Sequence, residues 1–124
     1  MDWTKNSTSG ERMNQDDINK SVDFIYKEGA KYAHAKAEVT YLEEYRKSKK
    51  AMLMKTAIEN GAKSAAAAEI EAYADVQYIE LLKGLREAVE KAEALRWGLV
   101  AAQARIEVWR SMEASNRALD RSLS

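Results

Sequence analysis

The sequence predicts an all-α fold: two long helices joined by a short one, folded back as an antiparallel helical hairpin that assembles into a helical-bundle oligomer. Three observations carry this prediction. The 124 residues include no proline, and good helix formers (alanine, glutamate, lysine, arginine, leucine) dominate, so nothing in the chain enforces a kink. Apolar residues recur at steps of three and four through two long tracts. Asn60-Gly61, between those tracts, is a strong helix stop.

Residues 1–15, MDWTKNSTSGERMNQ, are polar and aperiodic and read as a flexible N-terminal tail in which Trp3 stands alone. The helical domain is expected over 16–118. Asp16 and Asp17 suit an N-cap and first turn. The first stripe then runs through Ile18, Val22, Ile25, Gly29 and Tyr32, and resumes after Val39 through Leu42, Tyr45, Met52 and Thr56. It predicts a helix from about residue 17 to 59, roughly 60 Å long. Ser64 is placed to cap a short helix, SAAAAEIEAYA, and Asp75 to cap a second long one. The stripe of that last helix is Ile79, Leu82, Leu85, Val89, Ala92, Leu95, Leu99, Ala102, Ile106 and Trp109, ending near Ala118, with 119–124 expected to fray.

A two-helix seam leaves much apolar surface wet. Tyr26, Leu53, Leu81, Val100 and Val108 lie off the strict seam and widen the apolar face. Pairing of hairpins is the expected remedy. Trp97, Trp109, Leu53 and Leu81 are the candidate residues for an oligomer or partner interface. Gly98, beside Trp97, is placed to let a neighbouring ring or backbone approach.

Twenty basic residues balance twenty acidic ones. Neither a whole-domain electrostatic grip on nucleic acid nor an acidic DNA mimic is therefore expected. The chain has no cysteine, which removes thiolate chemistry and suits a reducing compartment. No run reaches membrane-spanning length, so a cytoplasmic protein is expected.

His34 is the one histidine, expected to bond Glu38 one turn on rather than to serve a di-iron bundle. The pairs formed by Glu87, Glu90 and Glu93 resemble the magnesium-holding pairs of helical nucleotide pyrophosphatases, but such spacing recurs by chance in charged helices. No phosphate loop, serine–histidine pair or cysteine nucleophile is present. The chain reads as non-enzymatic, with no cofactor and no metal site.

The remaining chemistry lies in EYRKSKKAMLMK, residues 44–55. Tyr45, Arg46, Lys47 and Lys50 are the candidate nucleic-acid contacts, with Lys49 at the edge of the seam. A hairpin folded about residues 60–75 places 46–50 beside 85–89, where Glu87 and Glu90 would blunt the basic run. The same register sets Arg96, Arg110, Arg117 and Arg121 near Asp16, Asp17, Asp23 and Glu28, so charges border the seam as in a coiled coil.

The pieces YLEEYRKSKKA, EAYAD followed by Tyr78, and ARIEVWR resemble a family of small all-helical proteins of tailed phages and prophages. The resemblance spans roughly residues 16–118. Members are encoded in early regions, often beside single-strand annealing or other recombination genes. That implies an accessory role in phage DNA recombination or replication within the bacterial host cell, through single-stranded DNA or a recombination protein. The alternative is a protein-interaction module that inhibits or adapts a host defence or repair protein.

Overall fold

A computed structural model describes residues 13–123; Trp3, most of the expected tail and Ser124 lie outside them. Among the described residues there are three helices and no strand: α1 (Gln15–Glu59), α2 (Ala65–Ala74) and α3 (Val76–Leu123). α3 continues past Ala118, where its end was expected, to Leu123.

Each boundary has a local cause. α1 is capped by Asn14 rather than by Asp16 or Asp17. The Asn14 side chain accepts from the Asp17 amide at 2.9 Å, and Asp17 reaches back to accept from the Asn14 amide at 3.1 Å. This reciprocal pair satisfies two donors that the first turn leaves without helical partners. α1 ends at Gly61, whose φ of 107° lets its amide bond Ile58 and the Ala62 amide bond Ala57, a double closure that a side chain at this φ would strain. Ser64 caps α2 by accepting from the Ala67 amide at 3.0 Å. Asp75 is non-helical and accepts from the Gln77 amide at 2.7 Å, which ends α2 and starts α3 within one residue.

The chain divides into two compact units. One contains residues 30–96: the later part of α1, all of α2 and the first part of α3. Here Leu53, Ala72 and Tyr78 form a core, with Met54 packed against it. Ala68 and Ala72 are almost completely buried, so α2 approaches closely on its alanine face. Ile70, on its other side, remains 70 % exposed. α1 and α3 run antiparallel in this unit: Lys49 meets Gln77, and His34 shares a groove with Lys91.

The other unit pairs the start of α1 with the later part of α3. Ile18, Ser21 and Ala102 are buried, and the Phe24 ring covers Gly98, where an added Cβ would meet it at 3.4 Å. The close approach expected at Gly98 is thus made by an aromatic ring.

Two expectations are corrected. First, the seam is rotated on parts of both long helices. Leu53 is 9 % exposed and Met52 48 %; likewise Ser21 is buried beside exposed Val22, and Tyr78 beside exposed Ile79. At Ser21 the small side chain lies at the closest approach, where it lets backbones come together, and Val22 is displaced to the flank. Leu53 and Tyr78 are instead drawn inward by packing on Ala72 of α2. From Ala92 to Trp109 the expected stripe is the one that faces inward. Second, the register differs. Lys49 donates to Gln77 at 2.6 Å, so residues 46–50 lie beside α2 and the first turn of α3, not beside 85–89. The reason is α2: it packs on the last turns of α1, where Leu53 and Ala57 are buried, and only then does α3 begin.

Candidate nucleic-acid interface

The basic run sits on the face of α1 that meets α2 and the start of α3. Arg46, Lys47 and Lys50 line one open groove of ≈ 590 Å³, together with Ala51, Met54, Tyr73 and Tyr78. The helix break at Asp75 builds its aromatic wall. On one continuous helix, residues five apart point about 140° from each other. Across the break, Tyr73 and Tyr78 instead meet edge to face, with ring centroids 5.3 Å apart.

The three cations are held differently. Lys47 is exposed and pairs with Glu44 of its own helix at 3.3 Å. Lys50 reaches across to Glu69 of α2 at 3.6 Å, and its Nζ lies 4.7 Å from the centroid of the Tyr73 ring. The Tyr73 side chain holds the Lys50 ammonium above its ordinary value; desolvation opposes it, and the Glu69 carboxylate adds a smaller effect in the same direction as Tyr73. Lys50, a candidate contact, is therefore not free at the surface; it lies folded onto α2. Arg46 is half-buried and makes no ion pair among the described residues. Tyr45 is not in the groove: it stacks on Tyr41, 5.9 Å between centroids and 7° between planes.

So Arg46, Lys47 and Lys50 are brought together, Tyr45 is turned to another neighbour, and Tyr73, Tyr78 and Glu69 join unforeseen. Their one sequence signal was the paired tyrosines flanking Asp75, a helix-breaking cap.

Charges at the borders of the seam find partners mostly one turn away. Asp16 pairs with Lys20, Glu80 with Lys83, Glu93 with Arg96 and Glu107 with Arg110. Arg110 thus meets Glu107 rather than the acidic start of α1, and it is Arg105 that shares a cavity with Asp17 and Lys20. These exposed pairs are each worth about 0–1 kcal/mol, too little to select the register; packing of α2 does so. Glu87 and Glu90 are exposed and distant in sequence from the turn that faces Lys49, so they do not blunt the basic run. Among the described residues, no group of three or more His, Asp or Glu side chains is arranged to hold a metal ion. His34 makes no bond to Glu38. It lies on the side of α1 bordering α3, lining a groove of ≈ 560 Å³ with Lys31, Lys91 and Leu95.

Of the four candidate interface residues, Trp97 is 59 % exposed, Trp109 and Leu81 are half-buried, and Leu53 is in the core. Leu53 is therefore corrected from interface to core: it packs on Ala72 and Tyr78. Among the described residues, no helix is long and apolar enough to cross a membrane.

The fold and groove together define an all-helical protein carrying a basic, tyrosine-walled cleft. No family model, no curated protein and no solved structure matches the chain.

Proposed function

We propose that the protein is a non-enzymatic, oligomeric helical accessory factor of phage DNA recombination or replication, acting in the bacterial cytoplasm by binding single-stranded DNA or a recombination protein. The phage context rests on the resemblance of YLEEYRKSKKA, EAYAD and ARIEVWR. The observation that carries an associating role is the distribution of side chains. Alanines and a serine occupy much of the seam, while Val22, Met52, Ile58, Ile70, Val76 and Trp97 stay exposed, and among the described residues no large side chain is fully buried. Apolar surface costs about 25 cal/mol for each Å² left in water, so such flanks favour assembly.

Light scattering tests the assembly directly: a mass of two or more chains is expected, and a monomer at micromolar concentration would remove the oligomer. A second reading, a module that inhibits or adapts a host defence or repair protein, is favoured by the exposure of Trp97, since tryptophans are enriched among the residues that dominate interfaces. Affinity capture from nuclease-treated host lysate separates the two. Loss of all partners on nuclease treatment supports DNA, and a retained host protein that is released by Trp97→Ala supports the module.

A further inference from the structure

The groove at the α1–α2–α3 junction has a feature that a bare basic patch lacks. Its cations come from one helix and its rings from two others, and one cation lies against a ring while paired to a carboxylate. We infer that this groove is a single-stranded DNA site in which Arg46 and Lys47 take the phosphodiester, Tyr73 stacks an unpaired base, and Glu69 restrains the site by holding Lys50 across the ring. The inference rests on the DNA-contact arm of the proposed function and assigns that arm its residues and its restraint.

The chemistry follows from the positions. A phosphodiester seeks cations that it need not first strip from a strong partner. Arg46 is such a group: it is half-buried at the groove wall and has no ion pair among the described residues. Its planar fork suits two phosphate oxygens at once. Lys47 can turn from Glu44 at little cost, because both side chains are about two-thirds exposed in that pair.

Tyr73 supplies the part of the site that distinguishes an unpaired strand. Every base has a π-face, so stacking on a tyrosine requires no sequence but does require a base free of its duplex partner. Tyr73 is 44 % exposed, and Tyr78, buried behind it, fixes it edge to face. The ring is therefore both presented and braced.

Lys50 occupies the place the base would take. Its 4.7 Å approach to the ring and its 3.6 Å pairing with Glu69 must both be released before a base stacks there. Released, the ammonium moves toward the incoming phosphate, so the same motion uncovers the ring and adds a third cation. Glu69, exposed on α2, is thus a carboxylate that competes with DNA for Lys50. Neutralising it should strengthen binding, whereas an unspecific electrostatic surface would respond equally to removal of any nearby carboxylate.

Fluorescence anisotropy of a labelled oligo(dT) of about twenty nucleotides at low salt tests this, with full-length protein and far-UV circular dichroism as the folding control. Wild-type protein should bind, with a duplex of the same length bound at least about tenfold more weakly. Tyr73→Ala should weaken binding about tenfold, and Tyr73→Phe, which keeps the ring, should restore it. Arg46→Glu should abolish it. Glu69→Gln should tighten it about three- to tenfold and steepen the log–log salt dependence by about one, the signature of one further phosphate contact. Glu44→Gln should give a smaller gain. No binding by the wild type overturns both the direct DNA contact and the groove. Binding that Arg46→Glu and Tyr73→Ala leave unchanged keeps the DNA reading and overturns the groove alone. Should Tyr73→Ala not fold, Glu69→Gln decides: unchanged or weakened binding overturns the restraint.

Discussion

The two compact units use the same pair of long helices and obtain different interiors from them. In residues 30–96 a third helix is present, and Leu53, Ala72 and Tyr78 close into a core with Met54. In residues 13–29 and 97–123 there are two helical segments, and what is buried is Ile18, Ser21 and Ala102, with Phe24 lying over Gly98. Beyond Trp109, Asn116 alone among the described residues is better than exposed. The difference shows what ten residues of α2 accomplish: two helices share a seam, whereas three enclose a volume.

The largest expected effect tests that distinction. Leu53→Ala should cost about 2–5 kcal/mol in urea denaturation, because it removes side-chain atoms from an enclosed core. Phe24→Ala, at a ring still 42 % exposed, should cost about 1–1.5 kcal/mol, roughly half of full phenylalanine burial. Equal losses would mean that the two units are enclosed alike, and that another chain covers Phe24.

Glycines give a smaller and sharper comparison, one in each unit. An added Cβ at Gly29 or at Gly84 meets nothing within 4 Å. Gly29→Ala and Gly84→Ala should therefore each stabilise the protein by about 0.5–1 kcal/mol, the gain from replacing glycine inside a helix. A loss at one site and a gain at the other, read from thermal melts, would place the association surface on the unit that loses.

The smallest effect concerns Lys50. Its ammonium is held above the ordinary lysine value of 10.5 in the folded chain. A raised value means that its contribution to stability is complete below that ordinary value and is lost as pH rises through the folded one. The difference in urea midpoint between wild type and Lys50→Met should shrink at pH above 10.5. A difference that persists there would show that its contribution does not depend on the charge of the ammonium beside Tyr73 and Glu69.

Much of the fold was legible because its signals are local. Asn60-Gly61, Ser64 and Asp75 act through backbone groups within a few residues, and each sits at the boundary it predicts. The cap at Asn14 was misplaced by two residues because Asp16 and Asp17 satisfy the same preference, and only the reciprocal bond to Asp17 selects between them. The seam was harder. Period alone cannot choose between adjacent stripes. Apolarity favoured Val22 over Ser21 and Ile79 over Tyr78, and between the two apolar neighbours Met52 and Leu53 it offered no choice, yet Ser21, Tyr78 and Leu53 are the buried ones. The candidate site was half legible: Arg46, Lys47 and Lys50 follow from a run of charge, whereas Tyr73, Tyr78 and Glu69 reach it from other helices.

Propensity and capping act within a turn or two of each residue, so the three helices, the stop at Asn60-Gly61 and the caps at Ser64 and Asp75 could be read without the fold, as could the neutral charge balance. Tertiary structure decided the register, the seam and the membership of the groove. α2 packs its alanine face on the end of α1, and that contact sets where α3 begins, which rings stand beside the basic run, and which carboxylate Lys50 finds.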